Sequence, residues 1–100
     1  MIDPIPTQTL LTHQSLLAAE SAERPELVVE YLLASVRRLV PGAEVDAGTR
    51  LSDLGVDSLQ VVELKFGLDE LIGAELDIEV IIANPTIREL AEESLLRQAL

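Results

Sequence analysis

An all-α bundle of three main helices and one short helix, with a long loop between the first two main helices, is the fold class this sequence predicts. Three observations carry it. Apolar residues recur at helical spacing in three separate stretches. Proline and glycine stand at the borders of those stretches, where they end or open helices. One short run, Asp77-Ile78-Glu79-Val80-Ile81-Ile82, suits a strand by propensity. No second run exists to pair with it, so it reads as the short helix.

The chain opens unlike a helix. In Met1-Ile2-Asp3-Pro4-Ile5-Pro6 two prolines restrict the residues before them. Residues 9–22 have room for a helical turn or two, with Leu10, Leu11, Leu16 and Leu17 apolar. We therefore expect residues 1–24 to be an N-terminal extension or linker and residues 25–100 to be the folded domain. His13 is expected to be an exposed residue of that tail. Pro25 opens the first main helix at a position that tolerates proline. Val28, Leu32, Ser35 and Leu39 form its apolar row, flanked by Val29, Val36 and Val40, and Pro41-Gly42 ends it.

Residues 43–56 form a loop longer than a bundle connection needs. Leu51 and Leu54 are expected to plug into the core and hold it. The second main helix spans residues 58–72, with Val61, Leu64, Leu68 and Leu71 inward and Gln60, Glu63 and Glu70 toward solvent. Gly67 lies inside it, at a cost of about 1 kcal/mol against alanine, and Gly73 stops it. Pro85 ends the short helix. Thr86 caps the last one, with Glu89 completing a capping box and Ile87, Leu90, Ala91 and Leu95 facing inward.

Composition narrows the functional classes. One hundred residues suit one small domain, and with Tyr31 and Phe66 as the aromatics and no tryptophan the core must be aliphatic. A net charge of −11 argues against nucleic acid and anionic membrane surfaces. It favours partners with basic patches and fast, salt-sensitive encounters. The absence of cysteine removes disulfides and thiolate ligands. The N-terminus shows no secretory signal and no apolar stretch approaches a bilayer span, which makes the cytoplasm the expected compartment.

Ser58 carries the chemistry. Asp57 stands before it as a helix cap, which places the serine hydroxyl on the first turn. A serine nucleophile needs a base, and the one histidine lies far away in the extension. No Gly-x-Ser-x-Gly elbow is present. Paired carboxylates need a dry cleft that a small aliphatic bundle lacks. Asp53 and Asp57 fall short of the calcium-loop pattern, and no His/Cys cluster or glycine-rich phosphate cradle occurs. An attachment point needs none of these, because another enzyme supplies the catalysis. A helix start offers free N–H groups and the positive dipole end, which suit a phosphate.

The stretch Leu51-Ser52-Asp53-Leu54-Gly55-Val56-Asp57-Ser58-Leu59, followed by Val62-Glu63-Leu64, resembles the acyl carrier proteins. So does Asn84-Pro85-Thr86-Ile87-Arg88-Glu89-Leu90-Ala91, at the start of their last helix. The likeness covers roughly residues 25–96. It implies the acyl-carrier-like bundle, a covalent 4′-phosphopantetheine arm on Ser58 taken from coenzyme A, and a non-catalytic carrier of acyl thioesters. It also implies docking through Asp57, Leu59, Glu63, Phe66, Asp69 and Glu70. The implied partners are a phosphopantetheinyl transferase, ketosynthase, acyltransferase and other acyl-processing enzymes, with the isolated domain a monomer. An acyl chain folding back between helices would meet Val62, Leu64, Leu68, Leu76 and Ile82. Gln60 departs from the pattern, since many carriers have an acidic residue there. The extension and the Asn-Pro-Thr run tilt the resemblance toward the polyketide-synthase type, with fatty-acid biosynthesis next. The alternatives are a peptidyl carrier of nonribosomal peptide synthesis and an unmodified acidic helical module that only binds partners.

Overall fold

Capping chemistry sets the helix boundaries. The computed structural model describes residues 11–98. Within it α1 spans His13–Ala18, α2 Arg24–Leu39, α3 Ser58–Ile72, α4 Ile78–Ile82 and α5 Ile87–Leu96, with one 3₁₀ turn at Leu51–Asp53. Thr12 and Ser15, Asp57 and Gln60, and Thr86 and Glu89 close capping boxes at the starts of α1, α3 and α5. Asp77 caps α4 by accepting from the Glu79 N–H at 3.1 Å. Pro25 sits in the first turn of α2, where its missing N–H is not needed. Gly73, at φ 69°, ends α3 in the left-handed conformation that glycine adopts most readily.

The core is aliphatic, as the composition requires. Val28, Val29, Leu32 and Val36 of α2 meet Leu64, Leu68, Leu71 and Ile72 of α3 and Ile87, Leu90 and Ala91 of α5. Leu51 and Leu54 plug in from the loop, and Leu76 from the turn before α4. Burying each such large side chain stabilises the fold by roughly 1.5–3 kcal/mol. Three positions differ from the periodicity. Val61 and Leu95, expected inward, are half-buried, and Ser94 is buried instead, its hydroxyl donating to the Leu90 carbonyl at 2.7 Å. That local bond lets a serine sit in the core without an unpaired polar group.

The Asn84-Pro85-Thr86 run holds the long loop. Asn84 stands at φ 58°, a region asparagine tolerates better than most residues. Its Oδ1 accepts from the Ser52 N–H at 2.9 Å and its Nδ2 donates to the Ser52 hydroxyl at 3.1 Å. The Leu51 N–H donates to the Pro85 carbonyl and the Ile87 N–H to the Thr49 carbonyl, both at 3.0 Å. One isolated antiparallel bridge, Arg50 with Thr86, is the only β pairing among the described residues. An ion pair at 2.8 Å joins Glu26 of α2 to Arg88 of α5. The hydrogen bond from Arg88, and then its charge, hold the Glu26 carboxyl below the usual carboxylate range.

Two glycines mark close approaches. A Cβ on Gly67 would run into the Tyr31 hydroxyl, so this glycine lets a tyrosine from α2 lie against α3. A Cβ on Gly73 would come within 2.7 Å of the His13 ring. His13 is thus not the exposed tail residue expected from its place in the chain. It is half-buried, with Nδ1 2.8 Å from the Leu71 carbonyl. The physical reason is the end of α3, which leaves carbonyls without helical partners. Leu16 follows His13 into the core and is fully buried. Arg24 fastens the turn behind α1 by donating to the Leu17 and Ala19 carbonyls at 3.0 and 3.2 Å.

Candidate functional site

The start of α3 is built from both directions. Gly55, at φ 81°, turns the loop upward in a conformation open mainly to glycine. Asp57 then adopts extended backbone, and its Oδ1 accepts from the Gln60 N–H at 2.8 Å. The Gln60 Oε1 returns the contact by accepting from the Asp57 N–H at 3.0 Å. Its Nε2 reaches farther and donates to the Leu39 carbonyl at the end of α2, at 3.2 Å. Gln60, expected toward solvent, is therefore half-buried between two helix ends.

Ser58 is the first residue of α3 and is exposed. Among the described residues no side chain is hydrogen-bonded to its hydroxyl. The Ser58 and Leu59 amides are among those a helix start leaves without a helical partner. His13 sits beyond the far end of α3, about 20 Å along the axis at 1.5 Å per residue. The chain's one histidine is thus too far away to serve this serine as a base. Ser58 offers a free hydroxyl, open amides and the positive end of a helix of fifteen residues. These features fit a phosphodiester at Ser58.

The residues expected around Ser58 divide into two sets. Leu59, Glu63, Phe66 and Glu70 follow one another at spacings of four, three and four along one outward stripe of α3. Leu59 is 70% exposed and Phe66 61%. Asp69, expected among the docking residues, lies off that stripe. Its Oδ2 pairs with Lys65 at 2.8 Å, and its Oδ1 accepts from the Leu76 N–H at 2.8 Å. Both oxygens are thus engaged within the fold, because a lysine with 11% of its side chain exposed requires a counter-charge. Lys65 escaped the sequence reading, although its spacing of four from Asp69 was the available signal. Of the residues expected along a folded-back acyl chain, Leu64, Leu68 and Leu76 are buried, whereas Val62 and Ile82 are exposed. Ile78 of α4 is also exposed.

Among the described residues, no group of three His, Cys, Asp or Glu side chains could hold a metal ion. No described helix is long and apolar enough to cross a membrane. Comparison with known proteins places this geometry in context. Over 85 residues, 81% of this chain, it is 38% identical to the highly reducing polyketide synthase NEC1 of Pyricularia oryzae, covering 3% of that protein. It is 40% identical over 79 residues, 78% of this chain, to the pikromycin polyketide synthase component PikAII of Streptomyces venezuelae, covering 2% of it. Acyl carrier protein 2 of the Spinacia oleracea chloroplast is 33% identical over 78 residues, which are 76% of this chain and 60% of that one. The chain thus spans only a few per cent of the synthases it matches. No solved structure matches it. The family model described as the phosphopantetheine attachment site matches residues 30–93, a span that contains all of α3 and most of α2 and α5. The chain belongs to the phosphopantetheine-attachment family, and its cofactor is a covalently attached 4′-phosphopantetheine.

Proposed function

We propose that Ser58 bears the arm and that the chain is a non-catalytic carrier that presents acyl thioesters to polyketide or fatty-acid biosynthetic enzymes. One observation carries the reading: an exposed serine opens a capped helix, far from the chain's one histidine and inside the span of the family match. When bound, the arm supplies a terminal thiol on which acyl groups are held as thioesters. The protein supplies the place and the fixity. Asp57 and Gln60 lock the first turn, so the Ser58 backbone is held in one place when a transferase binds. In loading, an O–P bond forms at Ser58 while the pyrophosphate bond of coenzyme A breaks. Adenosine 3′,5′-bisphosphate leaves, and the transferase takes the serine proton.

The outward stripe of Leu59, Glu63, Phe66 and Glu70, with Asp57 above it, is the docking face of this reading. Leu59 and Phe66 supply apolar anchors, and the carboxylates steer basic partners. Those partners are a phosphopantetheinyl transferase, a ketosynthase, an acyltransferase and other acyl-processing enzymes. Residues 25–100 form the carrier domain, and residues 1–24 are its extension, with α1 laid against the bundle. The isolated domain is a cytoplasmic monomer in this reading.

Loading tests the assignment. The apo chain, incubated with coenzyme A and a broad-specificity transferase, gains the mass of one phosphopantetheine, and Ser58→Ala abolishes the gain. A Ser58→Ala chain that still gains the mass refutes the attachment at Ser58.

A further inference from the structure

We infer that Gln60 is a positioning residue for arm loading, because its amide bridges the end of α2 to the start of α3. The inference rests on the reading of Ser58 as the attachment residue. Gln60 uses both ends of one side-chain amide. The Oε1 accepts from the Asp57 N–H at 3.0 Å, and the Nε2 donates to the Leu39 carbonyl at 3.2 Å. The Asp57 N–H stands just ahead of α3, and the Leu39 carbonyl belongs to the last turn of α2, where carbonyls lack helical partners. Main-chain groups at the ends of two different helices are thus tied by one planar group.

The consequence falls on Ser58, which lies between Asp57 and Gln60 in the sequence. A capping box alone fixes the first turn of α3 relative to α3 itself. The bridge fixes that turn relative to α2 as well. Without it, the segment from Gly55 to Ser58 is held by packing of half-buried Val56 against the core and by little that is directional. A side chain ending in a carboxylate can accept from the Asp57 N–H but cannot donate to Leu39. A methionine fills similar space and does neither. The amide is the group that does both.

Three full-length apo variants test this: Gln60→Glu, Gln60→Met and Ser58→Ala. Transferase kcat and KM for the carrier are measured separately, at low and high salt, beside thermal melting and amide exchange over residues 56–61. In Gln60→Met and Gln60→Glu alike, kcat at saturating carrier falls by about twofold to tenfold, the factor expected from losing the neutral hydrogen bond to the Leu39 carbonyl that both variants lack. Exchange at the Gln60 and Val61 amides quickens, and both chains still melt cooperatively. Wild-type kcat and unchanged exchange in both variants overturn the proposal. So does a change confined to KM that high salt erases, since that is an effect of charge rather than of position. A fall in kcat that tracks loss of cooperative melting in both variants also overturns it, making the bridge structural only. Ser58→Ala separates the two readings: its failure to load leaves the Gln60 result decisive, and its loading refutes the attachment reading instead.

Discussion

Replacing Asp69 by alanine separates scaffold from surface on α3. The carboxylate holds two partners: the Leu76 N–H at 2.8 Å and Lys65 Nζ at 2.8 Å. Losing the first leaves a backbone donor unpaired beside a fully packed leucine, at a cost of about 1–3 kcal/mol. Losing the second strands a lysine with 11% of its side chain exposed. The remaining carboxylate, Glu75, is 3.9 Å away and 88% exposed, too distant and too well solvated to replace Asp69. Breaking a fully buried pair costs about 3–5 kcal/mol, and the partial exposure of this one brings its share down to about 2 kcal/mol. With about 1 kcal/mol for the unpaired N–H, the two losses come to about 3 kcal/mol. For a chain of this length that lowers the thermal midpoint by roughly 12–24 °C. Thermal and urea unfolding of the apo chain, followed by circular dichroism, measure it. The Lys65→Met, Asp69→Ala double variant recovers the ionic part, because methionine fills the site without a charge, and keeps the Leu76 loss. Were Asp69→Ala to melt with the wild type while slowing association with the transferase, Asp69 would be a surface docking group and this reasoning would be wrong.

Charge reversal at Glu63 and Glu70, both on the outward stripe, leaves the melting midpoint within the effect of about 0.5 kcal/mol usual for surface changes. The same reversal slows association with the transferase and flattens its salt dependence, as stopped-flow kinetics read directly. Removing residues 1–22 deletes the fully buried Leu16 and the His13 contact to Leu71. The truncated chain still melts cooperatively and still loads, but it loses about 2–4 kcal/mol, which Leu16→Ala reproduces in large part. The Glu26 carboxyl, held down by Arg88, titrates below the ordinary glutamate midpoint of 4.5 in the folded chain. Its pairing therefore stabilises fully above that value and fades as pH falls through the lowered one. An NMR titration of wild type shows the lowered midpoint, and Glu26→Gln removes this share of the acid sensitivity.

Helix starts and stops were legible because each has local chemistry. Asp57, Thr86, Gly73 and Pro25 act through their own backbone or the next turn, so the boundaries of α3 follow from residues within it. The apolar rows of α2, α3 and α5 were legible for the same reason, since period alone selects them. The motif around Ser58 and the Asn84-Pro85-Thr86 run could be recognised, but that one clasps the loop leading to the other could not. The contact from Asn84 to Ser52 joins positions 32 residues apart, and nothing local encodes it. His13 was misjudged for that reason: its partner is 58 residues away. Asp69 and Gln60 had partners hidden differently. Each is polar and sits on a helix with a wet face, and periodicity placed Gln60 toward solvent. Their hydrogen bonds to Leu76 and Leu39 come from neighbouring segments that a single-helix pattern does not contain.

The outward stripe of α3 is costly unless it has a use. Burying a leucine or phenylalanine contributes roughly 1.5–3 kcal/mol relative to leaving it in water. Leu59 and Phe66 forgo most of that gain, at 70% and 61% exposure, while the core a turn away accepts Leu64 and Leu68. Scattered exposed apolar residues need no explanation, but these two flank Glu63 on a single face directly below Ser58. In the docking reading, a face that alternates apolar and acidic residues suits transient binding: the carboxylates raise the encounter rate and the apolar groups hold the complex briefly. Both halves must stay small. Many more apolar residues would make such a contact long-lived, and many more charges would weaken it in salt. The inward turn of Asp69 fits this balance. It takes one carboxylate from the surface and uses it to pin Lys65 and the turn at Leu76, so the face stays sparse while the helix beneath it stays rigid.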